Sequence, residues 1–179
     1  MARHSELVKI PRIDRYVTKL ALGTAPMGGW PATVAESDAE ATILAATDSG
    51  INYFDTAPLY GHGVAERRLG SGLNKSGKKF VISTKVGRVL NKVDPNNPVP
   101  DTSLSGFADK DPDVVPVFDF SREAILRSID ESLKRLKIDA VDIVYIHDAD
   151  DRIAEAISNS YPVLDELRSQ GVIKGIGVG

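Results

Sequence analysis

The chain has 179 residues, 42% hydrophobic and 26% charged, with a formal net charge of −3 and no cysteine. That is an ordinary globular composition with room for one real core, read here as a single domain over 1–179. Acids and bases are mixed with no basic stripe, which argues against a nucleic-acid partner. No apolar stretch reaches membrane-span length, the N-terminal MARHSELVKIPRIDRY lacks the apolar region of a secretory signal, and the missing cysteines exclude disulfides and thiolate metal sites, a pattern suited to the cytoplasm.

In chain order, KLALGT (19–24) is the first of five near-continuous apolar runs. Such runs read as strands covered on both faces, as in parallel sheets. Ser37-Asp38-Ala39-Glu40 has the capping-box spacing, and the helix it opens turns Ile43 and Leu44 inward before Gly50 stops it after Asp48. INYFDT (51–56) is the second strand, followed by a shorter helix over 64–74 and by FVISTK (80–85). From 86 to 119 the chain holds five of its ten prolines without convincing periodicity. A loop this long is either a mobile excursion or a wall over a site. Ser121 opens the strongest helix, with Ile125, Ile129, Leu133 and Leu136 on one face and Arg122, Arg127, Glu131 and Lys134 on the other. VDIVYIH (141–147) follows, then a weaker helical stretch over 151–159. A helix from Pro162 to Gln170 burying Leu164 and Leu167 and stopped by Gly171 comes next, and KGIGVG (174–179) is last. Alternating strands and helices imply parallel strands joined by right-handed crossovers.

Functional residues of parallel α/β folds sit at the carboxyl ends of strands. Gly23 and Thr24 end the first strand, Asp55 the second with Tyr60 beyond it, Lys85 the third and His147 the fourth. A free phenol titrates near ~10, and a nearby ammonium favours the phenolate. Lys85 can supply that ammonium, Asp55 can hold it in place, and His147 can hydrogen-bond a substrate oxygen beside Tyr60. The set suits general acid–base chemistry at a carbonyl or carbinol. Nothing resembles a nucleophile or a metal cluster, so a hydride would come from a bound cofactor.

Each residue also has a plain reading. Asp55 alone is an Asx-turn residue, Tyr60 a half-buried packing residue and His147 a satisfied core histidine. Lys85 ending an apolar strand is harder to dismiss. His62 reads as a loop residue and His4 as part of a loose tail. Asp148, Asp150 and Asp151 read as acids at a helix N-terminus before they read as a cation site.

FDTAPLYG, ISTKVG and VDIVYIHD resemble the motif regions of the aldo-keto reductases. The resemblance implies a (β/α)8 barrel of the TIM type binding NADP or NAD, with a catalytic tetrad on Asp55, Tyr60, Lys85 and His147. It places Gly23, Thr24 and Asp55 near the nicotinamide, and Trp30, in LALGTAPMGGW, near the substrate together with Tyr60 and His147. VFDFSREAILRSIDESLKRLKIDAVDIVYIHDADD is similar to the branch of D-threo-aldose (L-fucose), L-galactose and pyridoxal 4-dehydrogenases. That branch implies oxidation of an aldose to its lactone, or a related alcohol–aldehyde step on a small-molecule sugar or aldehyde. Tyr60 would take the hydroxyl proton, and residues 86–119 would form a substrate-side loop.

A barrel needs eight strands, and Gly179 falls inside or just after the fifth. The chain therefore reads as about the first five β/α units, with open sheet edges that invite self-association. The closing GIGVG reads as a glycine-rich strand, because a dinucleotide fingerprint needs a helix after it. The alternative function is a non-catalytic barrel fragment serving as a scaffold or interaction module.

Overall fold

The computed structural model describes residues 4–96, 98 and 106–179. An antiparallel hairpin comes first, β1 (Leu7–Lys9) against β2 (Tyr16–Thr18). It is tied down by an ion pair between Arg15 and Asp142. A ring nitrogen of His4 donates to the Ser49 carbonyl at 2.8 Å.

β3 (Leu22–Gly23), α1 (Glu36–Asp48), β4 (Tyr53–Asp55), α2 (Val64–Ser76) and β5 (Val81–Val86) then alternate. β6 (Arg88–Lys92) and β7 (Val114–Phe118) form a second hairpin in the register Leu90↔Pro116. α3 (Arg122–Leu136) and β8 (Ile143–Ile146) follow. The chain next winds through a 3-10 turn at Asp150–Arg152, a short α4 (Ile153–Glu155) and a π turn at Ala156–Ser160. It ends with α5 (Tyr161–Ser169) and β9 (Gly175–Val178). Pro162 supplies no amide to the helical ladder at the widened junction before α5. The five expected strands form one parallel sheet in the order β3-β4-β5-β8-β9.

The two faces of that sheet differ. Because side chains alternate along a strand, Phe54, Ile82, Val86, Val144 and Ile146 face the helices. There they join Ile43, Leu69, Leu73, Ile125, Leu136 and Leu164 in one core. Burying each such side chain is worth roughly 1.5–3 kcal/mol, so this face holds the helices to the sheet. The opposite face is polar. Tyr53, Asp55, Ser83, Lys85 and Tyr145 share it, and the Tyr53 hydroxyl lies 3.1 Å from Ser83 Oγ and 3.2 Å from the Tyr145 hydroxyl. The strands are covered on both faces as expected, β5 being buried along its whole length, but the two faces differ in kind: Val81 and Ile143 share the second face with Ser83, Lys85 and Tyr145.

Two other details depart from the sequence reading. Helix α1 is capped by the Ala35 backbone with no side-chain cap, and Ser37 lies inside its first turn. A tertiary contact sets this start. Arg68 of α2 donates to Glu36 Oε1 at 2.7 Å, to Met27 O at 2.5 Å and to Val34 O at 3.0 Å, fixing the chain ahead of the helix. The second departure lies within 86–119. Its ends pair as the β6–β7 hairpin, and Ala108 N donates to Gly29 O at 2.8 Å. Residues 97 and 99–105 of that excursion lie outside the described residues. Ser121 does cap α3 as expected, its hydroxyl accepting from Ala124 N at 3.3 Å.

Candidate active site

Three strand ends converge on one point. Asp55 closes β4 and Lys85 lies near the end of β5, on the polar face. The Lys85 ammonium donates to Asp55 Oδ2 at 2.5 Å and to the Thr56 carbonyl at 3.0 Å. Ser83 donates to the other Asp55 oxygen at 2.5 Å. Lys85 is only 6% exposed. A buried ammonium demands such partners, because an unpaired charge out of water costs several kcal/mol or more.

Tyr60 sits directly above this pair. Lys85 Nζ lies 5.0 Å from the centre of the Tyr60 ring. His147, which follows β8, meets the same ring edge-on, with centroids 5.7 Å apart at 88°. Phe107, from within the 86–119 excursion, packs on Tyr60 with ring centroids 6.2 Å apart. The loop carrying Tyr60 is fixed by a backbone crossing. A Cβ built on Gly28 would fall 2.4 Å from Gly61 N and 2.6 Å from Tyr60 C, so only glycine lets the two loops touch.

Ala25, Trp30, Leu59, Tyr60, Phe107 and His147 line an open cleft of about 270 Å³, with Arg88 and Asp148 on its wall. Burial lowers the His147 imidazole to about 4, helped by the cations Lys85 and Arg88 and opposed by Asp148. His147 is therefore neutral at neutral pH. Its Nδ1 is buried without a hydrogen-bond partner among the described residues, and its Nε2 lies 3.7 Å from Asp148 Oδ1. Burial also pushes the Tyr53 phenol upward, keeping it neutral in the layer beneath.

The tetrad residues read from the sequence are thus gathered in one place. Gly23 pairs in register with Asp55, and open space lies where its side chain would be. Thr24 is fully buried, and its hydroxyl donates to the Asp55 carbonyl at 3.0 Å, bracing that strand end. Trp30 stands at the cleft mouth, 48% exposed. His62 lies elsewhere, buried with a ring nitrogen 3.1 Å from the Val114 carbonyl. Asp150 and Asp151 occupy the first turn of the 3-10 segment, whereas Asp148 bonds Arg88 at 2.7 Å. Among the described residues no cluster of histidine and carboxylate side chains is arranged to hold a metal.

Sequence reasoning missed Ser83, Arg88, Phe107 and the cleft role of Asp148. Ser83 had a usable signal, two residues before Lys85 and hence on the same face. Arg88 and Phe107 had none, because only the folded hairpin and its return bring them over the rim.

The Aldo/keto reductase family model matches residues 19–179, and the chain belongs to that family. Pyridoxal 4-dehydrogenase of Microbacterium luteolum is 37% identical over 98% of this chain and 55% of its own length. D-threo-aldose 1-dehydrogenase of a Pseudomonas species is 38% identical, covering 91% of this chain and 50% of its own. The solved glycerol dehydrogenase of Gluconobacter oxydans superposes with a TM-score of 0.73 at 31% identity, over 97% of this chain and 48% of that one. The chain spans about half the length of the curated relatives it matches. Its parallel sheet and outer helices correspond to part of a TIM-type (β/α)8 barrel.

Proposed function

We propose that this protein is an NAD(P)-dependent oxidoreductase acting on CH–OH and carbonyl groups, with an aldose such as L-fucose, L-galactose or a D-threo-aldose oxidised to its lactone. One observation carries the reading: a buried lysine, clamped by Asp55, lies against the ring of Tyr60 beside a neutral His147 on a cleft at the strand ends. The residues present fit the nicotinamide end of a dinucleotide. Gly23 leaves open space at the rim, and the half-buried Asp55 borders it. When bound, the nicotinamide supplies the hydride acceptor for oxidation and the donor for reduction.

The chain's own residues handle the oxygen and its proton. The neutral imidazole of His147 orients the substrate oxygen by a hydrogen bond. Tyr60 takes the hydroxyl proton as the carbinol hydrogen leaves as hydride, and returns it in the reverse direction. Lys85 keeps a positive charge beside the ring, the sign that stabilises negative charge as the proton departs. Asp55 and the Thr56 carbonyl hold that ammonium in place. Trp30, Leu59 and Phe107 give the cleft an apolar wall beside the reacting carbon.

Two assays test this. Calorimetry with NADH and NADPH reads cofactor binding directly, and absorbance at the reduced nicotinamide band reads oxidation of the three sugars. Micromolar binding of either nucleotide with turnover of an aldose supports the proposal. Absence of any binding would replace it with the scaffold reading.

A further inference from the structure

Beside the reacting groups, the cleft wall carries a charge pair that the proton transfer does not use. Arg88 opens β6 directly after Gly87, whose φ of +94 turns the chain back over the rim. Its guanidinium is stacked 4.4 Å from the Phe118 ring centre, and its Nη1 donates to Asp148 Oδ2 at 2.7 Å. Asp148 is held from the other side. It immediately follows His147, has a left-handed φ of +47, and its amide bonds the Gly179 carbonyl at 2.9 Å. A residue with a side chain seldom holds that conformation, although aspartate tolerates it better than most, and here the amide bond to Gly179 helps to fix it.

The pair is lopsided. The Arg88 side chain is 1% exposed and that of Asp148 41%. The exposed partner is the carboxylate, and it borders a cavity. Here Asp148 faces the cleft that Trp30, Tyr60 and His147 also line. One carboxylate oxygen is engaged by Arg88. The other, Oδ1, lies 3.7 Å from His147 Nε2, beyond hydrogen-bond reach of it. An acceptor is therefore fixed next to the position where a substrate oxygen would meet His147, with a stem too short to move away.

We propose that Asp148, anchored by Arg88, is a specificity-determining residue that selects polyhydroxylated substrates by accepting a hydrogen bond from the hydroxyl next to the reacting carbon. The inference rests on the oxidoreductase reading and names the substrate feature that reading leaves open. A carboxylate acceptor binds a hydroxyl with a charge-assisted bond. A substrate lacking that hydroxyl leaves the carboxylate oxygen with no partner once the cleft is filled. Simple aldehydes and deoxy sugars are thereby disfavoured without any steric clash.

The test compares kcat/KM for an aldose, its 2-deoxy analogue and a short hydroxyl-free aldehyde assayed in the reducing direction. In the unaltered protein the aldose exceeds its 2-deoxy analogue by about 10- to 100-fold, the worth of one hydrogen bond to a charged group. In Asp148→Ala that ratio collapses towards one. Asp148→Asn keeps an acceptor for Arg88 and lowers the ratio by an intermediate amount, so a result survives if the alanine variant misfolds. Equal kcat/KM for the aldose and its deoxy analogue in the unaltered protein overturns the proposal. So does a variant that slows all three substrates alike and preserves the ratio, since Asp148 would then act only by positioning His147. Failure of the unaltered protein to turn over any of the three with either nicotinamide is a separate outcome, and it removes the oxidoreductase reading and this inference together.

Discussion

His147 makes the stability of the protein depend on pH in a way that can be worked out in advance. The imidazole is buried against Lys85 and Arg88, and its affinity for a proton falls from the usual 6.5 to about 4. At about 1.4 kcal/mol per tenfold change in proton affinity, that comes to roughly 3 kcal/mol. Between pH 6.5 and about 4 the unfolded chain binds a proton at this site and the folded chain does not. Acid therefore favours unfolding: the contribution is intact above pH 6.5 and is lost as the pH falls towards 4. Asp109 pulls the same way, because the Val34 amide and the Arg68 guanidinium hold its carboxyl below the usual range. The comparison must accordingly be with His147→Gln, which cannot titrate. Urea unfolding of both proteins at pH 7 and pH 4.5 gives the two slopes. The unaltered protein should lose about 2–3 kcal/mol more than the variant across that interval. Parallel losses would mean that His147 is not buried near these cations, and the site geometry would be wrong.

Other expectations follow from the same contacts. Glu66 is fully buried, accepting from Thr84 Oγ1 at 2.7 Å and from Arg135 Nε at 2.6 Å. Glu66→Ala removes the buried carboxylate that both donors share, leaving Arg135 only Ser132 and the more distant Glu131, and should cost about 3–5 kcal/mol in urea or thermal unfolding; a change below 1 kcal/mol would contradict that burial. Gly28→Ala drives a methyl into the Gly61 backbone, so it should displace Tyr60 and cut kcat/KM at least about tenfold while circular dichroism keeps its shape. Unchanged kinetics would show the crossing to be looser. Lys85→Met removes the charge beside Tyr60 and leaves Asp55 with Ser83 but without its charged partner. It should lower kcat by about 100-fold or more, and a twofold effect would remove Lys85 from the chemistry.

The strands of the parallel sheet were legible because their apolar runs are long enough to stand out, and the tetrad was legible because each member closes or follows one of those runs. What the runs concealed is the difference between faces. In FVISTK the serine and the lysine occupy the polar side and the isoleucine and threonine the other, a period of two masked by β-branched residues common to both. The β6–β7 hairpin was missed because Pro116 interrupts a valine-rich run and argues against a strand. The pairing is with a single neighbour, where a missing amide is tolerated. The capping-box reading of Ser37 failed for a different reason. Local chemistry allowed it, but Arg68, thirty-one residues on, holds Glu36 and Val34 and settles where the helix begins. Arg88 and Phe107 belong to the same class, since their place over the cleft depends on long-range packing that no local spacing records.

The account turns on Tyr60 as the group that exchanges a proton with the substrate oxygen. Replacing only its hydroxyl, in Tyr60→Phe, leaves the ring between Lys85, His147 and Phe107. The decisive measurement is aldose oxidation by this variant alongside its affinity for the reduced nicotinamide. Turnover should fall by about 100- to 10,000-fold, with nucleotide affinity within about twofold of the unaltered protein. Turnover that survives the loss of the hydroxyl would contradict the mechanism at its centre.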